Sequence, residues 1–541
     1  MDSRTLTNLP RHMVFCGVVT CLTSLSIGYV IGSPNIPESA IRGLGGNCGP
    51  HDPFTIQHGF PNCFLFSDLL WMTELDAKGA EERGFAIGSY CLGALAGSLI
   101  GGSLQNKYGR IKSLFLSSAV YILGSIVLGL SFHQVQFILG RVIIGFACGL
   151  GGVVAPTYLG EIATIQGRGI LGTFHQLFLV IGLLLSNLIG LAWSTPPGWR
   201  FVLAFNGVPA LIQCFFLTQL VESPRYLVSQ KRIKEAERSL QILRGPEKLV
   251  SVQEELDDMV LLLMGTRVPV DDDKDCIDSL SSSPSDSVPP PVQRGNSAAT
   301  LQNDPAPVPP PPSHPDKKQA SNSQKPYGFL TLFRSECRGL ALTGVSIHFL
   351  QQATGINGLV YYSTSFLGDT FGPGNSKYIT VGVSVCNLLA TICAVFLINR
   401  VDRKTLLMAS FGGIAVSAML LVIGAYAGVG ILVAVALFLY VIAFAIGLGP
   451  IPWMLLSEFL PTYAVSSASS AATSVNWSLN FVIGLLFPSL TKAMGNSTFI
   501  LFGGFSAIGV AFVWYFVPET RGRSIEQVMA EKGVPPRSPS S

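Results

Sequence analysis

The stretch Gln351-Gln352-Ala353-Thr354-Gly355-Ile356-Asn357-Gly358, followed by Val360-Tyr361-Tyr362-Ser363, carries amides, glycines and paired tyrosines inside a long apolar segment. A lipid-buried helix would carry leucines there. An unpaired amide in hydrocarbon costs about 2–7 kcal/mol, so these side chains must face a neighbouring helix or a wet cavity holding a polar ligand. The glycines allow the helix to loosen, as in interrupted helices that build binding sites between bundles.

Other polar residues fall within apolar runs: Gln176, Asn387, Trp453, Asn476, Trp477 and Asn480. Amides donate and accept, which suits a ligand rich in hydroxyls. Tryptophan offers an apolar face to the C–H side of a ring. None of these residues is a carboxylate, so the expected ligand is neutral. The alternative is that the amides only bridge helices. A second interruption, Gly447-Leu448-Gly449-Pro450-Ile451-Pro452-Trp453, deprives a helix of hydrogen bonds and packing. Gly449, Pro450 and Pro452 are therefore expected to form a gate, with a static kink as the alternative.

The elements that position these residues are membrane spans. Of 541 residues, 49% are hydrophobic and only 12% charged, well below the quarter or so usual in soluble proteins. A net charge of +3 gives no reason to expect nucleic acid as a partner. Apolar runs of spanning length lie near 13–33, 85–105, 113–132, 135–157, 170–193 and 201–221. After a hydrophilic stretch come 339–361, 377–398, 405–427, 430–456, 467–490 and 497–517. The first run lacks an obvious cleavage site and is read as a span and not a removed signal peptide. The expected fold is an all-α membrane protein: twelve helices in two six-helix bundles, with a cytoplasmic helical region between them.

Lys and Arg in the short loops set the expected orientation. Residues 1–12 form a cytoplasmic N-terminus, 13–221 a first bundle with an external loop at 34–84, and 222–338 a cytoplasmic linker. Residues 339–517 form the second bundle and 518–541 a cytoplasmic tail. Within the linker, 266–326 is rich in Pro and Ser, cannot bury a core, and is expected to stay disordered. It is read as a tether, or alternatively as a segment met by cytosolic regulators. Cys48 and Cys63 share the expected external loop, where a disulfide is plausible chemistry. Most other cysteines sit in apolar runs as small hydrophobes. No pair has zinc-site spacing, and no nucleophile–base pair falls among the polar positions. The expectation is a non-enzyme without metal or cofactor.

Polar marks recur between the halves at nearly constant offset: Gly109-Arg110 with Asp402-Arg403, Glu161 with Glu458, Glu222-Ser223 with Glu519-Thr520. Such an internal repeat fits two homologous bundles. Arg110, Glu161, Arg168, Arg403, Lys404 and Glu458 are expected at the helix ends of one face. There they could pair between bundles as a latch, or stand as solvated charges.

These residues resemble the sugar porter family of the major facilitator superfamily, nearest to its facilitative hexose transporters. The marks are Asn106-Lys107-Tyr108-Gly109-Arg110, Gly140-Arg141, Pro156 to Glu161, Gly167-Arg168-Gly169 and Trp199-Arg200. They continue with Glu222-Ser223-Pro224-Arg225, Gln351 to Tyr362, Gly449 to Trp453 and Pro518 to Arg523. The resemblance implies transport of a small neutral sugar across a lipid bilayer by alternating access. It implies hexose contacts at Gln176, Gln351, Gln352, Asn357, Asn387, Trp453, Asn476 and Trp477, and gate helices carrying Tyr361 and Tyr362. It also implies a multi-pass protein of the plasma membrane, with an internal membrane as alternative.

Four positions depart from the family pattern. Val30 follows Gly28-Tyr29 where proton-coupled members carry an aspartate, which favours a facilitator over a symporter. Ala445 replaces a glutamate near the sugar. Val465 replaces the arginine expected to partner Glu458, which would weaken a latch. Asp402-Arg403-Lys404 stands for Gly-Arg-Arg, and Asp402 is expected to pair with the neighbouring bases. The tripeptide His348-Phe349-Leu350 differs from the glucose-type one. A sugar receptor on the same scaffold and a proton symporter are the competing functions.

Overall fold

The computed structural model describes residues 9–37, 41, 56–57, 60–61, 78–131, 134–164, 167–195, 198–245, 249–264, 329–523 and 525–533. Cys48, Cys63 and the 266–326 stretch lie outside the described residues. In the first half the helices are α1 (Arg11–Gly32), α2 (Lys78–Tyr108), α3 (Arg110–Gly129), α4 (Gln134–Ile162), α5 (Arg168–Trp193), α6 (Trp199–Ala204) and α7 (Gly207–Leu217). Between the halves lie α8 (Pro224–Ser229), α9 (Ile233–Arg244), α10 (Leu249–Met264) and α11 (Phe329–Leu332). The second half holds α12 (Arg338–Ala353), α13 (Ile356–Phe371), α14 (Pro373–Leu397), α15 (Arg403–Tyr426) and α16 (Gly430–Ala443). It ends with α17 (Ile451–Phe459), α18 (Thr462–Met494), α19 (Thr498–Phe516) and the short α20 (Ile525–Glu531). A two-residue antiparallel ladder, β1 (Ile56–Gln57) with β2 (Phe60–Pro61), is the one sheet among the described residues.

Each expected span has its helix, and several are split. The sixth is α6 with α7, the seventh α12 with α13, and the tenth α16 with α17 through a π-helical turn at Phe444–Leu448. Large apolar side chains such as Phe201, Phe215, Ile431 and Tyr515 are exposed around the bundles, as helices facing lipid require.

Within the bundles, small residues let backbones meet. α1 packs on α5, and a Cβ at Gly28 would stand 1.8 Å from the Leu179 carbonyl oxygen. That neighbour is backbone and cannot swing aside. Gly28→Ala is therefore expected to destabilise the protein by about 1–3 kcal/mol through overpacking, read as a lowered thermal midpoint in detergent.

The linker helices α8, α9 and α10 share a small apolar core of Tyr226, Leu227, Ala236, Leu240, Val252 and Leu256. They attach to the first bundle through Arg244. Its Nη1 donates to the Ile162 carbonyl at 2.8 Å, and its Nη2 pairs with Glu255 at 2.7 Å. The core of the second bundle continues to α20, through buried Val528 and Met529.

Candidate functional site

The break between α12 and α13 occurs at Gly355, whose φ of +77° is left-handed. A side chain there would also strike the Phe502 ring, 2.6 Å from the Cβ position. Gly355 is thus required twice, by backbone conformation and by packing. The break puts Gln351 and Gln352 on the last turn of one helix and Asn357 on the first turn of the next.

These amides form a chain with α18. Asn476 Nδ2 donates to Gln351 Oε1 at 2.8 Å, and Gln352 Nε2 donates to Asn476 Oδ1 at 3.0 Å. Asn357 Nδ2 donates to Gln352 Oε1 at 2.8 Å. Each primary amide has two donors and two acceptor lone pairs, so the chain leaves hydrogen-bonding capacity free for a ligand.

The second interruption is tied to the first. Proline has no N–H, so Pro452 cannot donate to the carbonyl of Leu448 one turn earlier. That carbonyl instead accepts from Gln351 Nε2 at 2.6 Å. The Leu448 N–H donates to Ser410 Oγ at 3.0 Å, and Ser410 Oγ donates to the Ala443 carbonyl at 2.6 Å. Gly449 N–H reaches back to Phe444, the π-helical spacing. The carbonyl freed by Pro452 is met by a side chain of another helix, and the interrupted segment is tethered directly to the amide chain.

From the first bundle, Gln176 on α5 faces this segment. A Cβ at Gly449 would stand 2.9 Å from Gln176 Nε2. Trp453 is half-buried near His175 and His348, while Trp477 is buried with its ring 5.7 Å from that of Tyr90. Asn387, on α14, contacts Thr391 of its own helix and is not hydrogen-bonded to the other amides. The structure therefore links Gln351, Gln352, Asn357 and Asn476 directly, sets Gln176 beside Gly449, and leaves Asn387 apart.

Tyr361 and Tyr362 both lie on α13 and both reach α18. Tyr361 donates to Asn480 Oδ1 at 2.7 Å, and Tyr362 donates to the Gly484 carbonyl at 2.8 Å. Tyr361 also bonds the hydroxyl of Tyr90 in the first bundle. Behind Tyr90 stands Arg141, its guanidinium 4.7 Å from the ring centroid and its Nη1 donating to the Val30 carbonyl at 3.3 Å. Tyr90 escapes sequence reading because an isolated tyrosine at the start of a span looks like an interfacial anchor.

Contacts between bundles flank the amide chain on both sides. Towards one face lie Tyr90–Tyr361, Asn35 Nδ2 to the Val360 carbonyl at 3.0 Å, and Asn187 Nδ2 to Ser384 Oγ at 2.8 Å. Towards the face of Arg110 and Arg403, Ser470 bonds the Ser98 carbonyl and Ser98 Oγ meets Ser474 Oγ at 2.8 Å. A Cβ at Gly160 would stand 2.8 Å from Ser457 Oγ.

The charged residues of that second face pair within each bundle. Arg110 pairs with Glu161 at 2.7 Å, and Arg403 with Glu458 at 3.3 Å, each inside its own bundle. The reason is local: Arg110 opens α3 and Glu161 ends α4, adjacent helices of one bundle, and Arg403 and Glu458 repeat this. Arg168 opens α5 on the same face. Glu458 also accepts from Thr520 Oγ1, so Val465 leaves it with two partners. Asp402 pairs with Arg521 at 3.3 Å and not with Arg403 or Lys404 next to it.

The repeat extends to the third mark. Glu222 accepts from the backbone N–H groups of Arg110 at 3.0 Å and Ile111 at 3.3 Å. Glu519 accepts from those of Arg403 at 3.1 Å and Lys404 at 3.0 Å. Each carboxylate thus meets the open N–H groups of a helix start, where negative charge is favoured. Burial pushes the Glu222 carboxyl upward, against the lowering by the N–H groups of Ser223 and Arg110.

The model of the family described as "Sugar (and other) transporter" matches residues 18–268 and 313–531. The chain belongs to that family. It is 31% identical over 457 residues to the mouse solute carrier family 2, facilitated glucose transporter member 2, covering 82% of this chain and 76% of the relative. It is 28% identical to human member 3, over 95% and 91% of the two chains. Among solved structures, the proton:xylose symporter XylE bound to 6-bromo-6-deoxy-D-glucose superposes with a TM-score of 0.72, covering 96% of this chain and 99% of that one at 22% identity. An inward-open structure of the xylose transporter XylE from E. coli gives 0.62, with 96% and 99% covered at 22% identity. The fold is that of the major facilitator superfamily, two six-helix bundles, and the chain is a multi-pass membrane sugar transporter.

Proposed function

We propose that the protein equilibrates a neutral hexose across a membrane by facilitated diffusion. The observation that carries this reading is the linked amides Gln351, Asn476, Gln352 and Asn357, which have spare donors and acceptors at the boundary between two bundles. Gln176 and Trp453 would contact the sugar from beside the gate, with Trp477 and Asn387 further along its path. None of these residues is charged, in keeping with an uncharged polyol. Cross-bundle contacts on both sides of the amides fit a closed state between two open ones, with Gly449, Pro450, Pro452 and the Tyr361–Tyr362 helix as the parts that give way.

Facilitated diffusion is favoured over proton coupling by Val30, an aliphatic side chain whose carbonyl accepts from Arg141. The face of Arg110 and Arg403 would be cytoplasmic, with both termini and the 222–338 linker on that side and the 34–84 loop outside. The plasma membrane is the proposed location. Residues 266–326 would tether the bundles and meet any cytosolic regulators.

Labelled hexose uptake into vesicles containing the purified protein tests this. Equilibration without accumulation is expected, with the same end point with and without a proton gradient. Accumulation driven by acid outside would make it a symporter, and saturable binding without flux would make it a receptor.

A further inference from the structure

The two interrupted spans of the second bundle hold each other. The seventh span gives the amide of Gln351 to the Leu448 carbonyl of the tenth, at 2.6 Å. The tenth span returns a hydroxyl: Tyr440, on α16, donates to the carbonyl of Thr354, directly before the break at Gly355. Both carbonyls stand outside a regular helical ladder. Pro452 has no N–H for the first. The ladder of α13 opens one residue after the second, with the Leu359 N–H on the Gly355 carbonyl at 3.1 Å. A backbone group left unmet inside a membrane-spanning bundle is costly. Here each break is met by a side chain from the span that carries the other.

Tyr440 is 0% exposed, so its hydroxyl needs a partner inside the bundle. What it holds is the end of the helix that presents Gln351. Thr354 Oγ1 donates to the Gln351 carbonyl at 2.7 Å, and the Thr354 N–H donates to the Leu350 carbonyl at 3.2 Å. The Gly355 N–H donates to the Gln352 carbonyl at 2.9 Å. Thr354 is therefore bonded on one side to the last turn of α12 and on the other to Tyr440. The single donor of Tyr440 is taken by Thr354, which places its influence on the backbone at the break.

We infer that Tyr440 is a positioning residue of the hexose site: through Thr354 it fixes the last turn of α12, and with it the direction in which the Gln351 amide meets the sugar. This rests on the hexose reading above and deepens it, because it makes affinity depend on a hydroxyl of the tenth span. Without that hydroxyl the last turn of α12 loosens at Gly355, and Gln351 loses its fixed aim. Gln176 lies in the other bundle and is held by neither tie.

The test is equilibrium exchange of a labelled hexose in vesicles holding the full-length protein. The half-saturating concentration is read because it does not depend on the amount folded. Tyr440→Phe keeps the ring and removes only the hydroxyl. It should raise half-saturation about fivefold, the worth of one neutral hydrogen bond. Added to Gln351→Ala, the same change should raise it less than about twofold, since the amide that Tyr440 aims is gone. Added to Gln176→Ala, it should again raise it about fivefold, as independent sites do. A structural role alone would lower maximal exchange in all three proteins and leave this pattern unmade. Tyr440→Met, which also lacks a donor, takes the place of Tyr440→Phe if the latter does not fold. An unchanged half-saturation in the variant, or equal rises in the two backgrounds, would overturn the inference. A wild type that exchanges no hexose would instead overturn the hexose reading beneath it.

Discussion

Gln176→Ala should weaken hexose binding and leave the empty protein's stability almost unchanged, whereas Asn476→Ala should lower both. The two amides differ in what holds them. Gln176 makes no hydrogen bond among the described residues and stands against Gly449. Its removal takes a ligand contact away without stranding a protein group. Asn476 bonds Gln351 Oε1 and Gln352 Nε2 together, and its side chain also reaches the His348 carbonyl at 3.4 Å. Its removal frees Gln351 to turn, and Gln351 holds the Leu448 carbonyl that Pro452 cannot satisfy. Each variant should lose about 1–3 kcal/mol of sugar binding, roughly five- to 150-fold in Kd. Asn476→Ala should lose a similar amount of folding stability, while Gln176→Ala should stay within about 0.5 kcal/mol. Equilibrium binding by calorimetry and thermal unfolding in detergent read the two quantities. A Gln176→Ala protein with normal affinity would remove Gln176 from the site.

Arg403→Ala should destabilise the second bundle by about 3–5 kcal/mol, because it leaves Glu458 buried with its charge uncompensated. Arg403 and Glu458 are 5% and 6% exposed, so solvent cannot replace the lost partner. Thr520 still donates to Glu458, but a hydroxyl does not neutralise a carboxylate. Arg403→Leu combined with Glu458→Leu should recover much of the loss, since it removes both desolvated charges together. The same pair of experiments at Arg110 and Glu161 should behave alike, and effects in the two bundles should add, as the pairs share no partner. Flux measured at a temperature where each variant is folded separates stability from gating. A latch between bundles would change the balance of open states, while a pair inside one bundle changes stability first. If Arg403→Ala melts like the wild type yet alters flux, the charge pairs act in gating after all.

The sequence disclosed the spans because hydrocarbon demands long apolar runs, and it disclosed the amide chain because polar groups inside such runs are costly. Gly355 could be read as a point of weakness, but its left-handed φ and its fit against Phe502 depend on helices far apart in the chain. The tie from Gln351 to Leu448 was half legible. Pro452 announces that a carbonyl four residues earlier is free, and only the packing of α12 says which side chain meets it. Pairing of charges was the least legible feature. Repeated Arg and Glu at span ends specify a face, but whether they join two bundles or brace one depends on which helix ends are neighbours.

The central claim is that a sugar sits between the two bundles against the amides of α12, α13 and α18. A structure determined with a saturating transported hexose tests it most directly. Density for one sugar ring is predicted within hydrogen-bond reach of Gln176, Gln352 and Asn476, with Trp453 at its edge. A hexose seated elsewhere, or an amide chain still closed on itself with no ring beside it, would contradict the account.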